Sequence, residues 1–169
     1  TLPIHSDCSN SGLQHYSAMI KDEIGGSATN LVPSNKPSDV YALVAEEVKK
    51  LLIADTDPLA DLWLKYGIDR KICKKPVMCV PYSLTQYSLR QYVQDHVEKE
   101  FVENHKKHPF GEDLFKPTYY LTKKIWSAIE KVIVGARDAM KFLKNVATLV
   151  ASENLTIVWT TPLGLPIFM

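Results

Sequence analysis

Arg70 and Lys74 stand one helical turn apart in the run Arg70-Lys71-Ile72-Cys73-Lys74-Lys75-Pro76-Val77-Met78. On a helix, that spacing puts two cationic heads over the same region of space. Far upstream, Asp7 opens Asp-Cys-Ser-Asn-Ser-Gly-Leu-Gln-His-Tyr, a carboxylate followed by small polar residues. Like charges a turn apart repel unless an anion sits between them, and a phosphate chain would suit. Arg grips phosphate oxygens bidentately, while Lys offers a point charge that can also give up a proton. A carboxylate such as Asp7 suits Mg²⁺, the hard cation that accompanies triphosphates. A solvated basic face also explains the Arg70/Lys74 spacing, and an aspartate before Ser and Asn is commonly a cap or turn former.

The elements that would position these groups follow from periodicity and punctuation. Leu2 to Ser6 reads as a short strand carrying Asp7 at its tip, and Leu13, Tyr16, Met19 and Ile20 recur at helical spacing behind it. Gly25-Gly26 is expected to break that helix, and the turn-rich stretch from Pro33 to Pro37 to connect it onward. Ser38 is expected to cap a helix whose stripe is Val40, Leu43, Val44, Val48, Leu51 and Leu52. Asp57-Pro58 signals the start of the next helix and Gly67 its stop, so that the cationic helix begins at Asp69 with Pro76 as an interior bend. Ser83 can cap a further helix that runs into Asn104-His105-Lys106-Lys107-His108, read as a solvated helix end before Pro109. Pro117 to Ser152 carries a long helical pattern that Gly135 would split, and Leu155 to Thr161 is β-branched and reads as a strand. The fold class is therefore mostly α with a few short strands, an α+β arrangement.

Composition bounds the function. The 169 residues, 46% of them hydrophobic, are enough for one ordinary core. Twenty Lys and Arg against 19 Asp and Glu leave a formal net charge of +1, so attraction to a polyanion must come from local patches. Cys8, Cys73 and Cys79 lack paired-ligand spacing and leave an odd thiol, which fits a reducing, intracellular setting better than a disulfide scaffold. No run reads as a membrane span. The start at Thr1 and the apolar end, Leu165 to Met169, read as those of a fragment.

Taken together, Asp7, Gly12-Leu13-Gln14-His15, then Arg70-Lys71, Lys74, Val77-Met78 and Tyr82, then Trp159-Thr160-Thr161-Pro162-Leu163-Gly164 resemble the single-subunit, phage-type and mitochondrial DNA-directed RNA polymerases. The first two sets are similar to that family's motifs A and B, and the resemblance extends over essentially the whole chain, through Asn30 to Ser34 and Asp39-Val40-Tyr41. It implies a partial palm plus a helical fingers subdomain of a right-hand polymerase. Residues 1–35 would be the palm segment with motif A, 36–158 the fingers with motif B, and 159–169 the start of the returning palm strand.

By the same resemblance, Asp7 and the Cys8 carbonyl would hold Mg²⁺. Arg70 and Lys74 would bind the phosphates of a ribonucleoside triphosphate, Lys74 would also protonate the departing pyrophosphate, and Tyr82 would lie beside the ribose. The implied partners are a DNA template and an RNA product, in a polymerase acting as a single subunit. The setting would be the host cytoplasm for a phage protein, or a mitochondrion or plastid for an organellar one. Two departures from the family concern backbone geometry: Cys8 and Ser83 stand where the family usually has glycine. The chain ends before the family's motif C, so alone it should not polymerise.

Three other readings compete. A family A DNA polymerase also spaces Arg, Lys and Tyr along a fingers helix, but its motif A normally has a glutamate soon after the aspartate, and Ser9 to Gln14 contains none. A noncatalytic helical module would bind nucleic acid or protein through Lys106, Lys107, Lys123 and Lys124. His5, Cys8 and His15 would make a small metal or thiol site, short of a fourth ligand.

Overall fold

Asp22, Asp39, Asp57 and Asp69 each start a helix in the same way, turning a carboxylate oxygen onto the unpaired backbone N–H groups of its first turn. The computed structural model describes residues 3–4 and 8–169. Within them run eight α-helices: α1 Ser11–Ile20, α2 Glu23–Ala28, α3 Val40–Ile53, α4 Pro58–Tyr66, α5 Arg70–Cys79, α6 Gln86–Asn104, α7 Phe115–Val132 and α8 Val134–Ser152. A 3₁₀ turn at Val80–Tyr82 links α5 to α6, and the strands β1 Val158–Thr160 and β2 Pro166–Phe168 close the chain. The mostly helical expectation holds.

Helix α3 is the centre. Val44 and Val48 are fully enclosed, with Val40, Ala45 and Leu52 almost so, because α3 packs against α4, α5 and α7 at once. Leu43, placed by periodicity on the buried stripe, is 44% exposed. Trp63 of α4 is fully buried and donates its indole N–H to the Pro117 carbonyl at 3.0 Å, which satisfies the polar atom that burial would otherwise strand. Phe110 and Tyr66 pack on it with ring centroids 4.2 and 5.5 Å away. Helix α5 turns Ile72, Cys73, Pro76 and Val77 inward, and burial pushes the Cys73 thiol pKa up to about 12. Ahead of α4, Tyr120 donates to Asp55 Oδ2 at 2.7 Å and the Lys124 ammonium pairs with the same oxygen. The Lys124 bond first, then that of Tyr120, holds the Asp55 carboxyl well below the usual carboxylate range.

Several boundaries fall elsewhere than periodicity placed them. Asp39, not Ser38, caps α3, because its carboxylate reaches the N–H groups of Tyr41 and Ala42. Gly25-Gly26 does not end α1, which stops at Ile20 with Lys21 in the left-handed region. The glycine pair lies inside α2, where a Cβ on Gly25 would meet Ser17 Oγ at 2.5 Å and one on Gly26 would meet Val32 at 3.0 Å. Close helix approach, rather than a break, explains them. The split between α7 and α8 comes at Ile133, not at Gly135, which serves packing: a Cβ there would collide with the Asp22 carboxylate and, at 2.8 Å, with Ile20.

Thr85 caps α6 in place of Ser83, and Ser83 takes left-handed φ 62° behind the 3₁₀ turn. The basic run after α6 is solvated only in part: Lys106 lies over the Tyr66 ring at 3.8 Å and His108 stacks on Phe110. The strand expected over Leu155 to Thr161 contracts to β1, which pairs antiparallel with β2, Val158 opposite Phe168 and Thr160 opposite Pro166. Of the strand expected from Leu2 to Ser6, Pro3 and Ile4 are in no strand, and the remainder lies outside the described residues. Among the described residues no helix is long and apolar enough to cross a membrane.

Candidate active site

The N-terminal turns of α1 and α5, the connector into α3 and the 3₁₀ turn enclose a cleft of about 670 Å³. Cys8, Arg70, Lys74, Met78 and Tyr82 all line it. Four named site residues that are up to 74 positions apart in sequence, Cys8, Arg70, Lys74 and Tyr82, therefore share one space. Asp7, expected as catalytic and metal-binding, lies outside the described residues.

Each wall has a local cause. Asp69 caps α5 by accepting from Lys71 N and Ile72 N, which fixes Arg70 at the first helical position and puts Lys74 and Met78 on the same flank. Burial of Ile72, Cys73 and Val77 on the opposite flank leaves that cationic side facing the cleft. Pro76 leaves the Ile72 carbonyl without its helical donor, yet its own ring is buried and contributes to the core. On the other wall, Asn10 takes the left-handed conformation at φ 63° and its side chain accepts from Leu13 N, starting α1. The Cys8 carbonyl accepts the Asn10 N–H at 2.9 Å. Gly12 lets α1 approach the 3₁₀ turn, since a Cβ there would meet Pro81 Cγ at 2.5 Å and the Tyr82 hydroxyl at 3.3 Å.

The geometry of Arg70 depends on a residue that sequence reading did not single out as functional. Asp39 accepts the Arg70 Nε–H with the carboxylate oxygen that it does not use to cap α3, and the guanidinium lies 4.9 Å over the Tyr41 ring. An acid side chain thus occupies Arg70, which answers the repulsion between Arg70 and Lys74 without a bound anion. Asn30 holds the connector in place: its amide donates to the Ser38 carbonyl at 2.8 Å and its oxygen accepts the Ser38 N–H at 2.6 Å. The available signal was Asp39 immediately before the α3 stripe, a capping position whose second oxygen can reach another group. No carboxylate among the described residues lies within ion-pair reach of Lys74, while its neighbours Arg70 and Lys75 pair with Asp39 and Asp95. Tyr82 is 71% exposed at the cleft edge, its ring not packed away.

The competing readings gain less from the structure. Of the four lysines expected for a noncatalytic module, Lys106 covers Tyr66 and Lys124 pairs with Asp55, leaving Lys107 and Lys123 outward. In the small metal site, His5 lies outside the described residues and His15 is exposed on α1. No group of three or more His, Cys, Asp or Glu gathers among the described residues.

A family model described as DNA-dependent RNA polymerase matches residues 1–169. A DNA-directed RNA polymerase of Enterobacteria phage T3 is 32% identical over 207 aligned positions, covering 99% of this chain. T7 RNA polymerase of Escherichia phage T7 is 31% identical with the same coverage, and an Arabidopsis thaliana DNA-directed RNA polymerase 2, chloroplastic/mitochondrial, is 34% identical over 98% of the chain. The chain spans 23% of the length of those phage proteins and 17% of the plant one.

Proposed function

Since the chain belongs to the DNA-dependent RNA polymerase family that phage and organellar single-subunit enzymes share, we propose that its cleft binds an incoming ribonucleoside triphosphate. In the intact protein the reaction would be addition of that nucleotide to an RNA 3′ end on a DNA template. Residues 1–35 are read as palm, 36–158 as fingers, and 159–169 as the start of a returning palm strand. One observation carries the proposal: Arg70, Lys74 and Tyr82 line a single cleft with Cys8, the residue next to Asp7.

The roles follow from chemistry. Arg70 exchanges the Asp39 carboxylate for phosphate oxygens, a swap of one anion for another that the exposed guanidinium can make in place. Lys74 donates to the phosphate chain and passes a proton to the departing pyrophosphate oxygen. Tyr82 offers its hydroxyl to the ribose 2′-OH, so that a deoxyribose leaves a polar group unsatisfied. The donor set fits a hard divalent cation: Cys8 lines the cleft, its carbonyl, which accepts the Asn10 N–H, is a hard oxygen donor, and Asp7 precedes it in sequence. Mg²⁺ held by Asp7 and that carbonyl would supply charge neutralisation at the reacting phosphates.

The test is extension of an RNA primer on a DNA template by the full-length protein. Asp7→Asn and Lys74→Ala are expected to abolish extension while leaving template binding largely intact, and Tyr82→Phe mainly to relax the choice of sugar. Wild-type extension by either of the first two variants would remove their roles; an unchanged ratio of ribo- to deoxyribonucleotide use would remove that of Tyr82.

A further inference from the structure

Across α6 and α7, aromatic and cationic side chains touch in an unbroken series outside the cleft. The Arg90 guanidinium lies 5.9 Å from the Tyr87 ring and 4.9 Å from that of Phe115. The Phe115 and Tyr119 rings are 6.2 Å apart with planes only 11° from parallel, and Lys123 Nζ sits 4.6 Å over Tyr119. Phe115 and Tyr119 are one turn apart on α7 and Lys123 one turn further, which puts the three on a single flank. Tyr87, Phe115 and Tyr119 are 73%, 57% and 43% exposed. Large rings left in water beside one another mark a contact surface rather than scattered apolar exposure.

Arg90 bonds only to the neutral amides of Gln94 and Gln91, and no carboxylate among the described residues lies within ion-pair reach of Arg90 or Lys123. Of the acids nearest in sequence, Asp95 and Glu98 accept from Gln91 and Gln94 at 2.9 and 2.8 Å, Asp113 is turned to the Phe115 N–H at 2.8 Å and Glu130 accepts the Trp126 indole N–H at 3.1 Å, while Glu112 is exposed ahead of α7. The cations are thus open to an external anion, and the rings between them offer parallel faces.

We propose that Tyr87, Arg90, Phe115, Tyr119 and Lys123 form a platform for an unpaired DNA strand, with bases stacked on the rings and phosphates on Arg90 and Lys123. The chemistry separates single strand from duplex: paired bases hide their faces in the helix, so a ring platform gains stacking only from an unpaired strand. The span from Phe115 to Lys123, about 12 Å of helix, accommodates roughly three stacked bases. Tyr87 is five residues beyond Tyr82, which lines the cleft. DNA is the occupant because the inference rests on the proposed template-directed reaction, in which unpaired template must leave a duplex next to the site.

The experiment measures binding of the full-length protein to a DNA duplex with and without an unpaired DNA tail carrying 2-aminopurine, by anisotropy and by quenching of that base. The tail is expected to add affinity and to be quenched. Phe115→Ala with Tyr119→Ala should remove about tenfold or more of the added affinity, together with the quenching. Phe115→Trp should retain both, and Lys123→Ala should lower the salt dependence by about one phosphate contact. Melting curves show whether each variant is folded. Unchanged tail affinity and quenching in the folded double variant would overturn the platform, as would affinity gained from an RNA tail but not from a DNA one. If wild-type protein fails to extend at all, the proposed function fails while the tail measurement still judges the platform.

Discussion

The Asp39 carboxylate binds two things at once: one oxygen accepts the Tyr41 and Ala42 N–H groups at the start of α3, and the other holds the Arg70 guanidinium at the start of α5. A helix cap and a cleft residue are therefore one group. Replacement separates the two functions. Asp39→Ala loses the cap and is expected to lower stability by about 1 kcal/mol, whereas Asp39→Asn keeps an oxygen for the cap and should melt close to wild type. With the competing negative charge gone, Asp39→Asn should bind inorganic tripolyphosphate about two- to fivefold more tightly at low salt, an advantage that fades at high salt. Titration of both variants, alongside melting curves, checks this.

Ser83 adopts φ 62° and ψ 48°, a conformation that strains a residue with a Cβ and leaves glycine unstrained. Ser83→Gly is expected to stabilise the protein by about 0.5–1 kcal/mol without altering the cleft, since the side chain is exposed and takes no part in capping α6. Thermal or urea melting reads the effect; a loss of stability would mean that the serine side chain contributes more than its backbone costs.

Gly135→Ala tests the close approach of α8 to the turn after α1. An alanine in a helix interior normally adds up to about 1 kcal/mol over glycine. Here its methyl would collide with the Asp22 carboxylate, which is fixed by capping Ile24 and Gly25. Net destabilisation of about 1–3 kcal/mol is expected, as for other overpacked sites. Gly164→Ala in the β1–β2 loop, where nothing lies within 4 Å, separates steric collision from backbone strain.

Acid should weaken the link between α7 and the segment before α4. The folded Asp55 carboxyl is held below its usual range by Lys124 and then Tyr120. The unfolded value is near 4, so the stabilisation is fully present above about pH 4 and is lost as pH falls from there through the lower folded value. Lys124→Met is expected to flatten the decline in melting temperature between about pH 4 and 2, with Tyr120→Phe flattening it less. A decline as steep as that of wild type in Lys124→Met would place the acid sensitivity elsewhere.

Local chemistry was legible in the residue order. Asp57-Pro58, Gly67 and Asp69 mark their helix ends because capping and left-handed backbone depend on the neighbouring few residues alone. The Arg70, Lys74 and Met78 flank followed from helical geometry for the same reason, and the family from several matched segments together. Misplaced boundaries had longer-range causes. Gly25, Gly26 and Gly135 look like breaks until the side chains that crowd them are known, and those come from other helices and connectors. Lys106 looked solvated until Tyr66, 40 residues away, supplied a ring beneath it.

By itself the sequence determined which residue types were present and which neighbours each could reach along one helix: a cationic flank on α5, the aspartate caps, and a mostly helical chain. Only the tertiary structure decided that Cys8, Arg70, Lys74 and Tyr82 line one cleft, that Asp39 holds Arg70, and that Arg90 meets Phe115 across two helices. The reason is that helical periodicity fixes direction within an element, while the meeting of elements depends on how buried faces such as those of α3, α5, α6 and α7 fit together. That fit is a property of all the packed side chains jointly and cannot be read from any one run of them.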